Sequence, residues 1–312
     1  TPFLAAAGGA VLVLFRRWSG HRRDQGRDQL VKLELLAIPR LRSGLLTFGA
    51  QNLILMGAFF TIPLYLQLVV GLDALETGIR MLPISIAMFI TSSLGSLLVA
   101  RWSVRSIVRV GLGLVFVAIL LLIGTIQPDL EGVQFALTMA VLGVGMGLLA
   151  SQLGNAVQSS VGDSDRSEAG GLQWTSQQLG SALGVAVIGS IVLTGLTNGF
   201  VTELQNDERL DDGVRTELVE AVDDGVDFIA SSQLRTALDG AGLDETTVDS
   251  VVEGYEDSQL RALRAGLLGA AALALLALLA TNNLPSTVPR HDGEDGEDGQ
   301  EGEAARAASR ET

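Results

Sequence analysis

The sequence predicts an all-α, polytopic membrane bundle: six crossing helices preceded by part of another. Three observations predict it. Long, mainly apolar runs recur at 43–70, 78–100, 107–126, 131–159, 170–198 and 260–281, and about 20 such residues cross a hydrocarbon core of about 30 Å. The segments between them alternate in charge. The net charge of −14 is concentrated in residues 203–257 and in the tail after Arg290, leaving the spans nearly uncharged. The 312-residue chain has no Cys, which excludes disulfides and thiolate metal sites, and its two His lie outside every span.

Taken in order, residues 1–15 have the pattern of the end of a transmembrane helix. The chain lacks a starting Met, so the N-terminus is expected to be a truncation of something longer. Residues 16–42 form a basic linker carrying Arg16, Arg17, Arg22, Arg23, Arg27, Lys32, Arg40 and Arg42. Within it, 30–38 is a short amphipathic stretch suited to the inner membrane face. Basic short loops stay cytoplasmic, which puts 16–42 and 101–106 inside. Segments 71–77 and 127–131 carry Asp73, Glu76, Asp129 and Glu131 with no base, and are expected outside. Segment 160–169 then returns inside, with Arg166 as its one base.

Five crossings thus fill 43–198, an acidic extracytoplasmic segment occupies 199–259, and the last crossing is 260–284. The tail, 285–312, is low in hydrophobics and rich in like charge, so disorder on the cytoplasmic side is expected. In 199–259, Val214, Leu218, Val219 and Val222, then Val248, Val251, Val252 and Tyr255, recur at helical spacing. That predicts two or three amphipathic helices broken at Gly213, Gly225, Gly240 and Gly242. A solvated acidic linker is the other reading.

The spans differ in polarity. Residues 107–126 and 265–281 are nearly pure Leu, Ala, Val, Ile and Gly, whereas 43–70, 131–159 and 170–198 are threaded with Gln, Asn, Ser and Thr. A polar group at membrane depth must face protein or water. This sorts the helices into a lipid-facing, peripheral set and a pathway-facing set. The spans also read as two triplets, each ending in an apolar helix, the weak internal symmetry of inverted-repeat transporters.

Three stretches carry a family resemblance: YLQLVVGLDALETGIRMLP (65–83), GVGMGLLASQLGNAVQSSV (143–161) and GGLQWTSQQLGSALGVAVIGSIV (170–192). They resemble the C-terminal half of fourteen-helix drug–proton antiporters of the major facilitator superfamily, over roughly residues 1–285. The resemblance implies one six-helix domain of that fold plus a partial preceding helix, with the six spans as helices 9 to 14. It implies a secondary active transporter in the plasma membrane that exports drugs or other small amphipathic molecules by alternating access. The coupling protons would be carried by an N-terminal half outside this sequence. Arg101 and Arg105 match a cytoplasmic loop motif of the superfamily. Ala100 stands where an acid is usual and Ser103 where Gly is usual, so the motif's salt-bridge latch is not expected in its usual form.

No residue fits a catalytic or metal-binding role, and no cofactor or nucleic-acid partner is implied. No acid lies deep in a span, and no His is there to act as a base. An enzyme is therefore not expected. Asn52 and Gln67 on the first span, Gln152 and Asn155 on the fourth, and Gln173, Trp174 and Gln177 on the fifth are candidates for the substrate pathway, since amides both donate and accept. Inter-helix structural hydrogen bonds are the competing role. Gly143 and Gly147, and Gly180 and Gly184, are spaced by four and allow close helix approach, for packing or for sliding during gating. Pro63 and Pro83 each free a carbonyl inside a helix. A different class of function is also consistent with the composition: a non-transporting membrane scaffold whose acidic outer segment binds a partner.

Overall fold

The computed structural model describes residues 2–24, 33–99, 101–127, 132–207, 209–223, 228–240 and 243–281. The expected disordered tail, Ala100, and the expected breaks at Gly225 and Gly242 lie outside these. Among the described residues every regular element is helical: α1 (Pro2–Asp24), α2 (Pro39–Leu64), α3 (Ala74–Val99), α4 (Val104–Thr125), α5 (Gly132–Gln158), α6 (Arg166–Asn206), α7 (Asp212–Asp223), α8 (Ser231–Gly240) and α9 (Glu245–Ala280). Six of them, α2 to α6 and α9, are long and apolar enough to cross a membrane.

Capping chemistry sets most starts earlier than hydropathy does. α2 begins at Pro39, a residue suited to the first helical turn. α3 begins at Ala74 because Asp73 and Glu76 form a reciprocal capping box: Asp73 Oδ1 accepts from the Glu76 amide at 2.7 Å and Glu76 Oε2 from the Asp73 amide at 3.2 Å. Ser103, the departure from the loop motif, caps α4 by accepting from the Ser106 amide. Asp244 does the same for α9 through the Thr247 amide.

The 199–259 segment differs from a loop bearing short helices. α6 runs on for 41 residues to Asn206, and α9 starts as early as Glu245 and runs for 36. At about 1.5 Å per residue both far exceed a bilayer core. Their extensions carry α7 and α8 between them, and Gly213 lies inside the first turn of α7 rather than breaking a helix. Phe200 and Tyr255 pack edge to face at 5.2 Å. Arg209 bridges Asp207 and Glu253, each at 3.0 Å. Arg261 pairs with Glu203, and Ser250 hydrogen-bonds Asp207. The two extensions are thereby clasped together beyond the apolar spans.

Within the spans, α2 packs chiefly on α6 and α3 chiefly on α5. α4 packs on α5 and α9, and α9 also on α2 and α6, while α2 and α5 touch each other. Exchanging α2–α3–α4 with α5–α6–α9 maps the first pair onto the second. Successive crossings alternate in direction, so the exchange inverts the chain, which is the relation between inverted repeats. The glycines make the two seams. A Cβ at Gly143 would strike the Ile84 carbonyl, and one at Gly147 would lie 2.7 Å from the Met88 carbonyl. On the other seam, Cβ atoms at Gly180 and Gly184 would strike the carbonyls of Gly49 and Leu53. Partner numbers rise together along each seam, so each pair is parallel.

The two apolar spans do not face outward all round. α4 buries Val108, Leu112, Val115, Ala118 and Ile119 completely, α9 buries Leu267, Ala270 and Ala274, and the two helices meet each other. The most exposed crossing is α3, where Leu75, Phe89 and Leu97 are open. Polarity does not sort burial here because an apolar face costs nothing against either lipid or protein. Position in the bundle decides it.

Candidate transport surface

The amides lie along α2, α5 and α6, the helices at and beside the centre of the two seams. On α5, Gln152 is 1% exposed. Its Nε2 donates to the Gly95 carbonyl and to Ser151 Oγ, both at 3.1 Å, while its Oε1 is buried without a partner. Gly95 makes this possible, since a Cβ there would collide with Ser151. On α6, Gln173 is half-buried and its Oε1 is likewise buried without a partner. Its Nε2 lies 3.6 Å from where a Cβ would stand at Gly154, so α6 leans into a space that glycine leaves on α5. Gln177, one turn on, is half-buried. Trp174 and Asn155 are exposed.

The structure therefore brings Gln173 to α5 at Gly154 and leaves other candidates apart. Asn52 is buried, but its Nδ2 donates at 2.9 Å to the Phe48 carbonyl of its own helix. Gln67 is exposed at the far end of α2, where Tyr65–Val69 widens into a π turn just after Pro63. Pro83 sits half-buried within α3. Arg101 is exposed, and Arg105 is half-buried with its Nε unpartnered.

Two residues were missed by the sequence reading. Gln51 is 4% exposed with its Oε1 unpartnered. It shares the buried face of Gly44, Thr47, Ile54 and Ala58, a periodicity that would have selected it over Asn52. The other is Tyr65, whose place in the motif at 65–83 gives no hint of its role. It is fully buried, and its hydroxyl donates toward the carbonyls of Thr125 at 3.1 Å and Gln127 at 2.7 Å, tying the end of α2 to the end of α4. Arg264 of α9 joins the same corner by donating to the Ile126 carbonyl at 2.6 Å.

Gln51, Gln152 and Gln173 thus each hold an orphan acceptor inside a bundle whose spans suit lipid. Buried acceptors are normally satisfied, and lipid supplies no donor. These oxygens are closed to solvent in this conformation, so water or a solute bearing N–H or O–H groups would reach them only as the helices part.

The sequence profile of the Major Facilitator Superfamily matches residues 1–185. Among curated proteins, the chain is 31% identical over 156 residues to the multidrug transporter protein MdtP of Bacillus subtilis, covering 47% of this chain and 28% of that protein. It is 27% identical over 253 residues to a probable actinorhodin transporter of Streptomyces coelicolor, covering 80% and 40%. It is 28% identical over 270 residues to the drug efflux pump JefA of Mycobacterium tuberculosis, covering 86% and 51%. The chain thus spans about half, or less, of the length of these relatives.

Proposed function

The chain belongs to the major facilitator superfamily and is a multi-pass membrane protein, and from that premise we propose that it forms the C-terminal half of a fourteen-helix drug–proton antiporter of the plasma membrane. It exports small amphipathic molecules by alternating access, and the coupling protons are carried by the half that precedes it. The names of the relatives, which are drug and multidrug transporters, support the substrate class.

The observation that carries the reading is the set of orphan amide oxygens on α2, α5 and α6. A structural amide in a membrane finds its partner within the bundle. Gln152 does bond Gly95 through its Nε2, but the three oxygens have no donor among the described residues of the bundle and would suit a solute or its water once the helices part. Asn155 extends the polar strip on α5 toward the basic end, whereas Trp174 and Gln177 on α6, which starts at that end, extend it from Gln173 toward mid-membrane. Asn52 on α2 and Gln67 at the opposite end are the remaining members of the proposed route. Gly143, Gly147, Gly180 and Gly184 let the paired helices slide, and Pro63 and Pro83 let them bend.

Replacing Gln177 by Leu in the complete transporter tests the route. Membrane amide hydrogen bonds are worth about 0.6 to 1.7 kcal/mol, so efflux of a cationic dye should fall roughly three- to eighteenfold while the amount of folded protein is unchanged. A matching drop in folded protein would make Gln177 a structural residue instead. The scaffold reading draws on the clasped acidic unit. Removing 211–240 and rejoining the helix extensions should spare much of the efflux if the chain is a transporter.

A further inference from the structure

The seam between α2 and α6 has two sides. Gln173 and Gln177 lie on one. On the other, a groove of about 520 Å³ runs beside Ser176 and Gly180, walled by Leu46 and Leu53 of α2 and by Leu172, Leu179 and Leu183 of α6, with Arg42 at one end. Leu46, Leu179 and Leu183 are more than half exposed in this chain, so the groove is open to lipid provided that the half proposed to precede it does not cover this face. Arg42 is also exposed, and its guanidinium has no hydrogen-bond or ion-pair partner among the described residues.

The dimensions identify what fits. Arg42 and Leu53 are 11 positions apart, about 16 Å along a helix, and Leu172 and Leu183 are spaced identically on α6. One leaflet of a core of about 30 Å is about 15 Å deep. The groove therefore runs from the basic end of the bundle to about mid-membrane and stops. Its walls suit an acyl chain, and Arg42, the one cation among the described residues that line it, stands at headgroup depth, three positions inside the start of α2 at Pro39.

We propose that this groove is a binding site for an anionic phospholipid of the leaflet at the basic end, with an acyl chain between α2 and α6 and its phosphate on Arg42. A zwitterionic lipid would fill the apolar part but bring its own cation to the arginine. The site lies across the seam from the amides, so lipid and solute would bind on opposite sides of one helix pair. A lipid seated there would set how closely α2 and α6 approach at that end.

The test is native mass spectrometry of the protein extracted from its membrane in mild detergent, titrated with phosphatidylglycerol or with phosphatidylcholine of the same chains. Phosphatidylglycerol should be retained in preference. Arg42→Gln should lower its retention about fivefold, as expected for one basic residue near an anionic surface, and Arg42→Lys should restore most of it. Ala50→Phe, which fills the groove, should reduce both lipids. Leu179→Trp serves the same end at an exposed position should Ala50→Phe fail to fold. Arg40→Gln, at an exposed neighbour outside the groove, should change neither. Equal retention of the two lipids by the unaltered protein would overturn the proposal, as would an equal effect of Arg40→Gln and Arg42→Gln. Displacement of phosphatidylglycerol by an exported cationic dye would overturn it too, by making the groove part of the solute route.

Discussion

Gln51 and Asn52 are neighbours that a helical step of about 100° sends to different surroundings. Asn52 spends its donor on the Phe48 carbonyl, while Gln51 keeps a buried oxygen with no donor. Tyr65 shows the converse, a hydroxyl placed so that two carbonyls at the end of α4 can share it. Outside the spans, Asp207 holds the clasp between α6 and α9. Burial works to raise its pKa, but hydrogen bonds from Arg209 and Ser250, with the charge of Arg209, outweigh this and hold it at about 2 against an ordinary 3.8. Hydrogen bonds from Thr246 and Thr247 hold Asp244 at about 2 as well. A carboxylate whose pKa is lowered on folding stabilises the fold above its unfolded value and loses that contribution as pH falls through its folded value. The acidic unit should therefore be undisturbed down to about pH 4 and lose helix between 3.8 and about 2. Circular dichroism against pH checks this. Asp207→Asn should show a smaller change across that window, and an equal change would place the titration elsewhere.

Among the elements, the parallel pairs α3–α5 and α2–α6 depend on glycine at the crossing, because a carbonyl of the partner helix occupies the space a side chain would need. Gly143→Ala pushes a methyl group against the Ile84 carbonyl and to 2.9 Å from the Ala87 Cβ. Backbone cannot swing aside as a side-chain tip can. Overpacking of this kind costs about 1–3 kcal/mol, so the melting temperature in detergent should drop. Gly113→Ala on α4 meets nothing within 4 Å and should leave it unchanged. Equal effects at the two sites would mean that general helix propensity, not the crossing, sets the cost. The spacing of these glycines was visible in the sequence. Which helix each would press against was not, since a stripe of small residues fits any neighbour.

At the scale of the whole molecule, the basic residues gather at one end of the bundle and the acidic unit at the other. Residues 203–257 hold 17 acids and three arginines, and a long segment can be translocated despite such charge. If the basic loops lie in the cytoplasm, as the charge rule predicts, α7 and α8 stand outside the cell. A cysteine introduced at Ser232, an exposed position on α8, should react with an impermeant thiol reagent in intact cells, and the chain has no native Cys to confuse the signal. Labelling only after lysis would invert the orientation.

The sequence by itself determined the number of crossings, their alternation, the charged character of each end and the existence of two similar triplets. Each is a local property: hydropathy over about 20 residues, or the charge of a short segment. Tertiary structure alone decided the rest. α6 and α9 continue as helices past the end of their apolar stretches because partners such as Arg209 and Tyr255 hold the extensions, and hydropathy is blind to a helix once it leaves the bilayer. The apolar spans α4 and α9 each bury one face, against α5, α6 and each other, although their composition would serve lipid equally well. The orphan oxygen of Gln51 and the open groove beside Arg42 belong to the same class of fact. The groove's two walls are more than a hundred positions apart in the chain, and both features exist only through how the helices pack.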